Sequence, residues 1–574
     1  MKIFLIGKPM IVASDGSRPT VPGHQPWAVL ARLLCADRPL GRRELAAEIF
    51  PEVEDPLGAL RWCLASLRRA TGAKTLHSDP IVLNFPTDTC VDIWSLKSGE
   101  VEATGPNVFL EGVEPAASAA FDTWLLIERE HVSSRLYQCL RREAMRALSA
   151  GDHARARSLA ERGVRCRPLD ESGHIILVKC LAASGDIAAA VAHVDATETR
   201  FLKETGEKPT PALRAAARKT VTDPPHGVSK SAMIDALIKS GKAAVSAGAV
   251  DAGLDCLRRA AADAEKAGDE HLLAKALGQL GTSLIHACRG YDDEGALTLQ
   301  QAADIASRIG SSDVAAEALC ELGYCDALAG RRPSAAKYLE EALPYAQDND
   351  ECLAGIHAFV GFNLVDWGRV ELGLSHFERS LEFARKAENR RREIWALGIG
   401  AWGLLRSGRP DEARDWLVQC LRLCDEIRWL AFRPWPVALL AEARLALHEM
   451  GNATRGDLEE ALAISNQLAD PCWQAAAARA LALVDTDAGE YEAAARWLVH
   501  ARERCCSVTD LYAGLLVEIM SDQVRLSKRI GDDKGAAELA RQLLPVVART
   551  HADAHLDFAT AMLNPSSRPH RAGL

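Results

Sequence analysis

The sequence predicts a mainly α-helical protein: a small α+β unit at the amino end, followed by a long α-helical solenoid of repeated hairpins. Three observations predict it. The 574 residues exceed one compact core at roughly 150 residues per domain. Aromatic residues are only 5%, while alanine-rich phrases such as Ala475 to Ala478 recur, which favours helix over a β-sandwich or barrel. Finally, Gly151, Gly185, Gly248, Gly290, Gly330, Gly368, Gly408, Gly456, Gly489 and Gly531 are each followed five positions later by Ala or Gly.

At the amino end, Lys2 to Ile6 and Pro9 to Val12 read as short strands, separated by Gly7 and followed by the turn Asp15-Gly16. Pro26 to Leu34 carries apolar residues at helical spacing. Gly41 to Phe50 is a second helix, stopped by Pro51. A third runs from about Asp55 to Ala70, capped by Asp55, started by Pro56 and closed by Thr71-Gly72. Thr75 to His77, the turn Ser78-Asp79-Pro80, and Ile81 to Phe85 then read as a hairpin. Strands, three short helices and a hairpin is the order of a winged helix.

At 100° per residue, Leu57, Leu60, Leu64 and Leu67 fall on one stripe of the third helix and anchor it. Gly58, Trp62, Ala65, Ser66 and Arg69 form the opposite stripe, with Arg61 and Arg68 at the edge of the anchoring one. Small residues beside Trp62 and Arg69 permit close approach to a DNA major groove, where arginines contact phosphates or guanine edges. Arg42, Arg43 and Lys74 complete the candidate DNA-binding set. Charge distribution points the same way. The chain has 68 Lys and Arg against 78 Asp and Glu, yet the first hundred residues hold 12 against 11, leaving 56 against 67 for the rest. The acidic excess lies outside the segment offered to a polyanion.

The order Ile3-Phe4-Leu5-Ile6-Gly7, Leu30 to Leu34, Glu44-Leu45-Ala46 with Ile49-Phe50-Pro51, then Ala59-Leu60-Arg61 and Leu67-Arg68-Arg69 resembles the response-regulator-type winged helix of bacterial antibiotic-regulatory activators. Behind it, Phe121, Trp124, Glu128-Arg129-Glu130, Gly151-Asp152, Pro168 to Glu171 with His174, Gly185-Asp186, Gly206 and Pro209 resemble the bacterial transcriptional activator domain found next to that winged helix. The paired resemblance covers roughly residues 1 to 220. It implies double-stranded DNA as a partner, together with dimerisation or contact with the transcription machinery, RNA polymerase included. The hairpin tip departs from the pattern: Ser78-Asp79-Pro80 places an acid where a wing beside phosphates prefers a cation, with Lys74 and His77 the nearby candidates. Trp62 on the outward face suits stacking on DNA or sealing a protein contact.

The glycine series steps by 33 to 63 positions, close to the period of helical-hairpin repeats of about 34 to 45 residues. Glycine permits the tight turn, and the small residue lets the second helix pack closely. This resembles tetratricopeptide repeats, whose default role is to bind a peptide, a protein or a small ligand. The longest gap contains Thr222-Asp223-Pro224-Pro225-His226-Gly227, the best linker in the chain. The expected organisation is therefore a winged helix at 1–97, an activator domain at 98–220, a linker at 221–230, repeats at 231–563 and a tail at 564–574. Trp429, Phe432 and Trp435, around a proline-stiffened break, are candidates for a partner site or for inter-helix core.

Chemistry for catalysis is missing from the linear text. Gly7-Lys8 and Gly241-Lys242 lack the glycine framework of a phosphate loop. His551 and His555 sit one turn apart, but Ala552 stands where a zinc protease needs its general base, so a solvated terminal helix is expected. Cys420, Cys424 and Cys505-Cys506 read as buried thiols, because no second pair completes a tetrahedral site. Glu128 and Glu130 lie on different helix faces, which argues against paired acids. No enzyme, cofactor or metal is expected. Without a secretory signal or a run of about 18 apolar residues, the expected setting is the cytoplasm, with no membrane span and the 16 cysteines reduced. The competing reading is an interaction scaffold whose winged helix no longer binds DNA, and replacing Arg68 and Arg69 with alanine separates the two.

Overall fold

The computed structural model describes residues 1–36, 38–72, 78–83, 85, 89–97, 108–113, 118–217, 230–246, 249–287 and 290–563. Lys74, the strand expected at 75–77, the Thr222–Gly227 linker motif, Gly248 and the 564–574 tail lie outside them. Two compact units are present. The first comprises residues 1–142 with 161–168, the second 143–160 with 169–574.

In the first unit, β1 (Lys2–Phe4) pairs antiparallel with β2 (Met10–Val12), Lys2 opposite Val12 and Phe4 opposite Met10. The side chains of Ile3, Leu5 and Ile11 are buried, as a half-covered strand pair requires. Three helices follow: α1 (Gln25–Cys35), α2 (Arg42–Ile49) and α3 (Pro56–Thr71). Of the expected closing hairpin, the first strand lies outside the described residues, and the described part makes two separate contacts. Ile81 bridges Leu40, its amide donating to the Leu40 carbonyl at 2.8 Å, and a third strand, β3 (Cys90–Val91), runs parallel along the free edge of β1. Asp92, at the start of α4 (Asp92–Lys97), accepts from the amides of Leu5 and Ile6 at 2.8 Å each, which ties off the end of β1. Then come the 31-residue α5 (Ala119–Ser149) and α6 (His153–Cys166), whose residues divide between the two units. The start of α5 belongs to the first core: Phe121 is buried with Phe109, Trp124 packs on both rings, and the Arg32 guanidinium lies 5.4 Å over Trp124.

The second unit contains α7 (Glu171–Ala183), α8 (Ile187–Thr205) and the short α9 (Pro211–Ala215). A tetratricopeptide-like array of hairpins follows: α10 (Lys230–Ser246) with α11 (Val250–Ala267), α12 (Glu270–Ala287) with α13 (Asp292–Ile309), α14 (Ser312–Leu328) with α15 (Arg332–Ala342), and α16 (Asp350–Asp366) with α17 (Val370–Lys386). It continues with α18 (Arg390–Arg406) and α19 (Pro410–Glu426), α20 (Pro434–Ala446) and α21 (Asn452–Gln467), α22 (Pro471–Asp487) and α23 (Tyr491–Cys505), α24 (Ala513–Arg529) and α25 (Asp533–Thr550), and ends on α26 (Asp553–Leu563).

The glycine pattern marks real turns at eight of the nine described steps of the series, for example Gly330 at φ 77° and Gly408 at φ 72°. Gly456 is the exception. It lies inside α21, and the turn before that helix is made by His448 at φ 57°. The small residues five positions on do what close packing needs. A Cβ on Gly373 would stand 2.9 Å from the Gly361 carbonyl oxygen and 2.7 Å from Val365 Cγ2, so α16 and α17 touch backbone to backbone. Gly373→Ala should therefore cost about 1–3 kcal/mol, read as a lowered urea midpoint, because a packed interface this tight yields only by moving a helix.

The same hairpin carries a pH-sensitive contact. His357 Nδ1 lies 2.9 Å from His376 Nδ1. Burial, then the neighbouring His376 and Arg379, push His357 down to about 4, and burial and Arg379 also lower His376. The folded protein thus holds His357 neutral while the unfolded chain takes up a proton near its ordinary value. The unfolded state binds more protons below that value, so stability is flat above about pH 7 and falls as pH drops from about 6.5 toward 4. Between pH 7 and pH 5 the loss from His357 should be roughly 1–2 kcal/mol. His357→Gln should flatten that part of the stability profile, measured by urea unfolding of both proteins at the two pH values.

Candidate nucleic-acid interface

The third helix begins and ends where its sequence directs. The Asp55 carboxylate accepts from the Gly58 amide at 2.8 Å, Pro56 occupies the first turn, and Gly72 at φ 69° stops the helix. Leu60, Leu64 and Leu67 are buried and hold α3 against α1 and α2. Leu57, expected among them, is 36% exposed; Cys63 completes the buried face instead. Ser66 is also corrected. It is 3% exposed, since it lies only 100° from Leu67 on the flank that packs inward, and it cannot face DNA.

What remains outward is Trp62, 51% exposed, with Arg61 and Arg69 also exposed and Arg68 half-buried. Arg61 pairs with Asp55 at 3.2 Å, a surface contact of little energetic weight, and Arg69 Nε donates to the Ala65 carbonyl at 3.4 Å. Of the two arginines on α2, Arg43 is exposed. Arg42 is half-buried and engaged: its amide donates to Asp79 Oδ1 at 3.0 Å and its Nε to the Ser78 carbonyl at 3.2 Å. This explains the acid in the Ser78-Asp79-Pro80 turn. Gly41 has no side chain to cap α2, and Asp79 supplies the missing acceptor from 37 residues away.

The aromatic candidates of the array are core rather than an open site. Trp435 is fully buried and donates from Nε1 to the Gly398 carbonyl at 3.0 Å, and Phe432 is 4% exposed. Only Trp429 is half-buried, stacked on Phe432 with ring centres 5.0 Å apart. Cys420, Cys424 and Cys505 are buried thiols, whereas Cys506 is exposed. His551 and His555 are buried rather than solvated, with His555 Nε2 3.2 Å from Glu518 and Nδ1 3.0 Å from Ser521 Oγ.

Sequence reasoning missed a buried charge network in the array. Arg332 and Asp366 are both fully buried, 3.2 Å apart. Asp366 also accepts from Arg406 at 2.8 Å, Trp402 Nε1 at 3.3 Å and the Tyr512 hydroxyl at 3.4 Å. Arg406 continues to Glu518 at 2.8 Å, and Arg479 to Asp522 at 2.7 Å. Burial pushes the Glu518 carboxyl up, but Arg406, His555 and Arg479 outweigh it and hold it well below the usual carboxylate range. No local pattern announces such a network, because each member reads alone as a solvated charge.

Among the described residues, no helix is long and apolar enough to cross a membrane. No curated protein matches the chain. Among solved structures, a Rap protein complexed with competence and sporulation factor is 13% identical, covering 58% of this chain and 99% of its own, with a TM-score of 0.39. Aspartyl phosphate phosphatase F from Bacillus subtilis is 11% identical over 72% and 94%, TM-score 0.38, and the apo quorum sensor NprR from B. thuringiensis is 15% identical over 64% and 97%, TM-score 0.35. TM-scores this low carry nothing about function. Residues 108–220, which begin inside the first core and run through α9, match the bacterial transcriptional activator domain.

Proposed function

We propose that this protein is a sequence-specific DNA-binding transcription regulator, in which α3 reads double-stranded DNA and the hairpin array receives a partner or ligand. The observation that carries the reading is the exposed face of α3: Trp62, Arg61 and Arg69 point outward while Leu60, Leu64 and Leu67 anchor the helix inward. The activator domain at 108–220 supports a role in transcription. A helix of this size makes few base contacts, so useful specificity calls for two copies on repeated half-sites, as a homodimer or by cooperative binding. The activator domain would then address RNA polymerase. On this reading the protein is not an enzyme and works in the cytoplasm.

Footprinting of the full chain on genomic DNA, followed by affinity measurements on the recovered site at several salt concentrations, tests this. With about 4 to 6 phosphates neutralised per bound unit, log affinity should fall against log salt with a slope near −4 to −5. Affinity independent of salt, or no protected sites, would favour the scaffold reading. Exposed Trp62 is the observation on that reading's side, because an uncovered indole also suits a protein contact.

A further inference from the structure

The last hairpin of the array does more than follow its predecessor. Residues 510–518 reach back to helices more than a hundred positions earlier. The Asp510 carboxylate accepts from the Gly290 amide at 2.6 Å, the Tyr512 hydroxyl donates to Asp366, and Glu518 pairs with Arg406. The approach is close along the whole front. A Cβ on Gly514 would lie 2.3 Å from Asp366 Oδ2, one on Gly330 2.8 Å from Thr550 Cβ, and one on Gly368 3.1 Å from the Ala554 amide nitrogen. The array is thus closed on itself, and the closing contact combines buried ions and small residues with the Tyr512 ring, which packs 5.2 Å from Phe362 and 5.7 Å from Trp435.

The closing contact meets the activator domain at one short stretch. Gly290, held by Asp510, directly precedes the first turn of α13, and that turn carries Asp293 and Glu294. Asp293 accepts from Ser172 Oγ at 2.6 Å, and Glu294 lies 3.8 Å from Lys179 Nζ, both on α7. Five residues, Gly290 to Glu294, therefore connect the latch to a helix of the 108–220 domain.

We propose that residues 510–518 form a releasable latch, and that its closure fixes α7 of the activator domain through the Gly290–Glu294 turn. The regulatory meaning rests on the function proposed above; the coupling itself does not depend on DNA binding.

Hydrogen–deuterium exchange of the full chain tests the coupling without DNA. In Asp510→Asn with Glu518→Gln, exchange should become about tenfold faster or more in 513–529 and in 171–183, with 312–328 unchanged, as expected for loss of charge-assisted hydrogen bonds. Asp293→Asn should speed exchange in 171–183 and leave 513–529 as it was. The proposal is overturned if 171–183 keeps its protection in the latch variant, or if the whole array loosens together, which would make the last hairpin one piece with the cooperative fold. Should the double variant not fold, Asp510→Asn alone, isosteric and outside any helix, carries the same two readings. DNA affinity measured in parallel separates the ideas: altered exchange with no DNA binding in any variant would sink the function and leave the latch.

Discussion

Asp366→Ala should lower the stability of the array by about 3–5 kcal/mol. The reason is what it abandons. Arg332 is fully buried, donates to the Ala327 carbonyl at 2.6 Å, and has Asp366 as its ion-pair partner. Removing the carboxylate leaves a guanidinium in a low-dielectric site and also strips an acceptor from Arg406, Trp402 and Tyr512. Burial and the Asp366 carboxylate push the Tyr512 phenol well above its ordinary range, so it stays a donor and cannot compensate. Urea unfolding followed by tryptophan fluorescence reads the loss, since Trp402 touches the site. A sharper version of the test adds Arg332→Met to Asp366→Leu. Because the cost arises from an orphaned charge more than from the pair's own worth, the double substitution should be less damaging than Asp366→Ala. A larger loss in the double variant would mean that the pair contributes net stability and that this account of the network is mistaken.

That network also marks where the sequence stops being legible. The elements of α3 could be read locally: Asp55, Pro56 and Gly72 declare its ends, and three leucines declare its inner face. The departures there are small and geometric: Ser66 turns inward on the flank of the buried stripe, where a serine gives no apolar signal, and Leu57 is exposed because the first turn of the helix overhangs its core. Longer reach defeats such reading altogether. The edge partner of β1 is Cys90-Val91, two residues with no strand period of their own, selected only because β1 has a free edge. Asp79 was legible as an anomaly in a wing but not as the cap of α2, since the link spans 37 positions. The array's step could be counted in glycines, yet Gly456 satisfied the count while His448 made the turn, because Ala or Gly at a given offset records close packing and not the turn itself. Charges such as Glu518, and histidines such as His555, read as solvated until the last hairpin is seen lying against the array's earlier helices.

Arg61→Ala with Arg69→Ala should weaken DNA binding by roughly 30- to 25,000-fold, taking about 1–3 kcal/mol for each lost contact to a phosphate or base. The fold should not notice. Both side chains are exposed, and the pair Arg61 forms with Asp55 is a surface contact worth under about 1 kcal/mol, so an unchanged unfolding midpoint is the control. The salt dependence then says which contact was lost. If both guanidinium groups neutralise phosphates, the slope of log affinity against log salt should become shallower by about 2 and all sequences should suffer alike. If they read guanine edges, the slope should hold while discrimination between the recovered site and its mutated versions relaxes. Trp62→Ala adds the remaining arm. An indole that stacks on DNA should lose affinity in the same assay, whereas an indole that seals a protein contact should leave DNA affinity alone and change the oligomeric state or the recovered partners. Unchanged DNA binding in the arginine pair, with the fold intact, would transfer α3 to the scaffold reading, since no other described helix presents two exposed arginines around an exposed tryptophan on a face anchored by buried leucines.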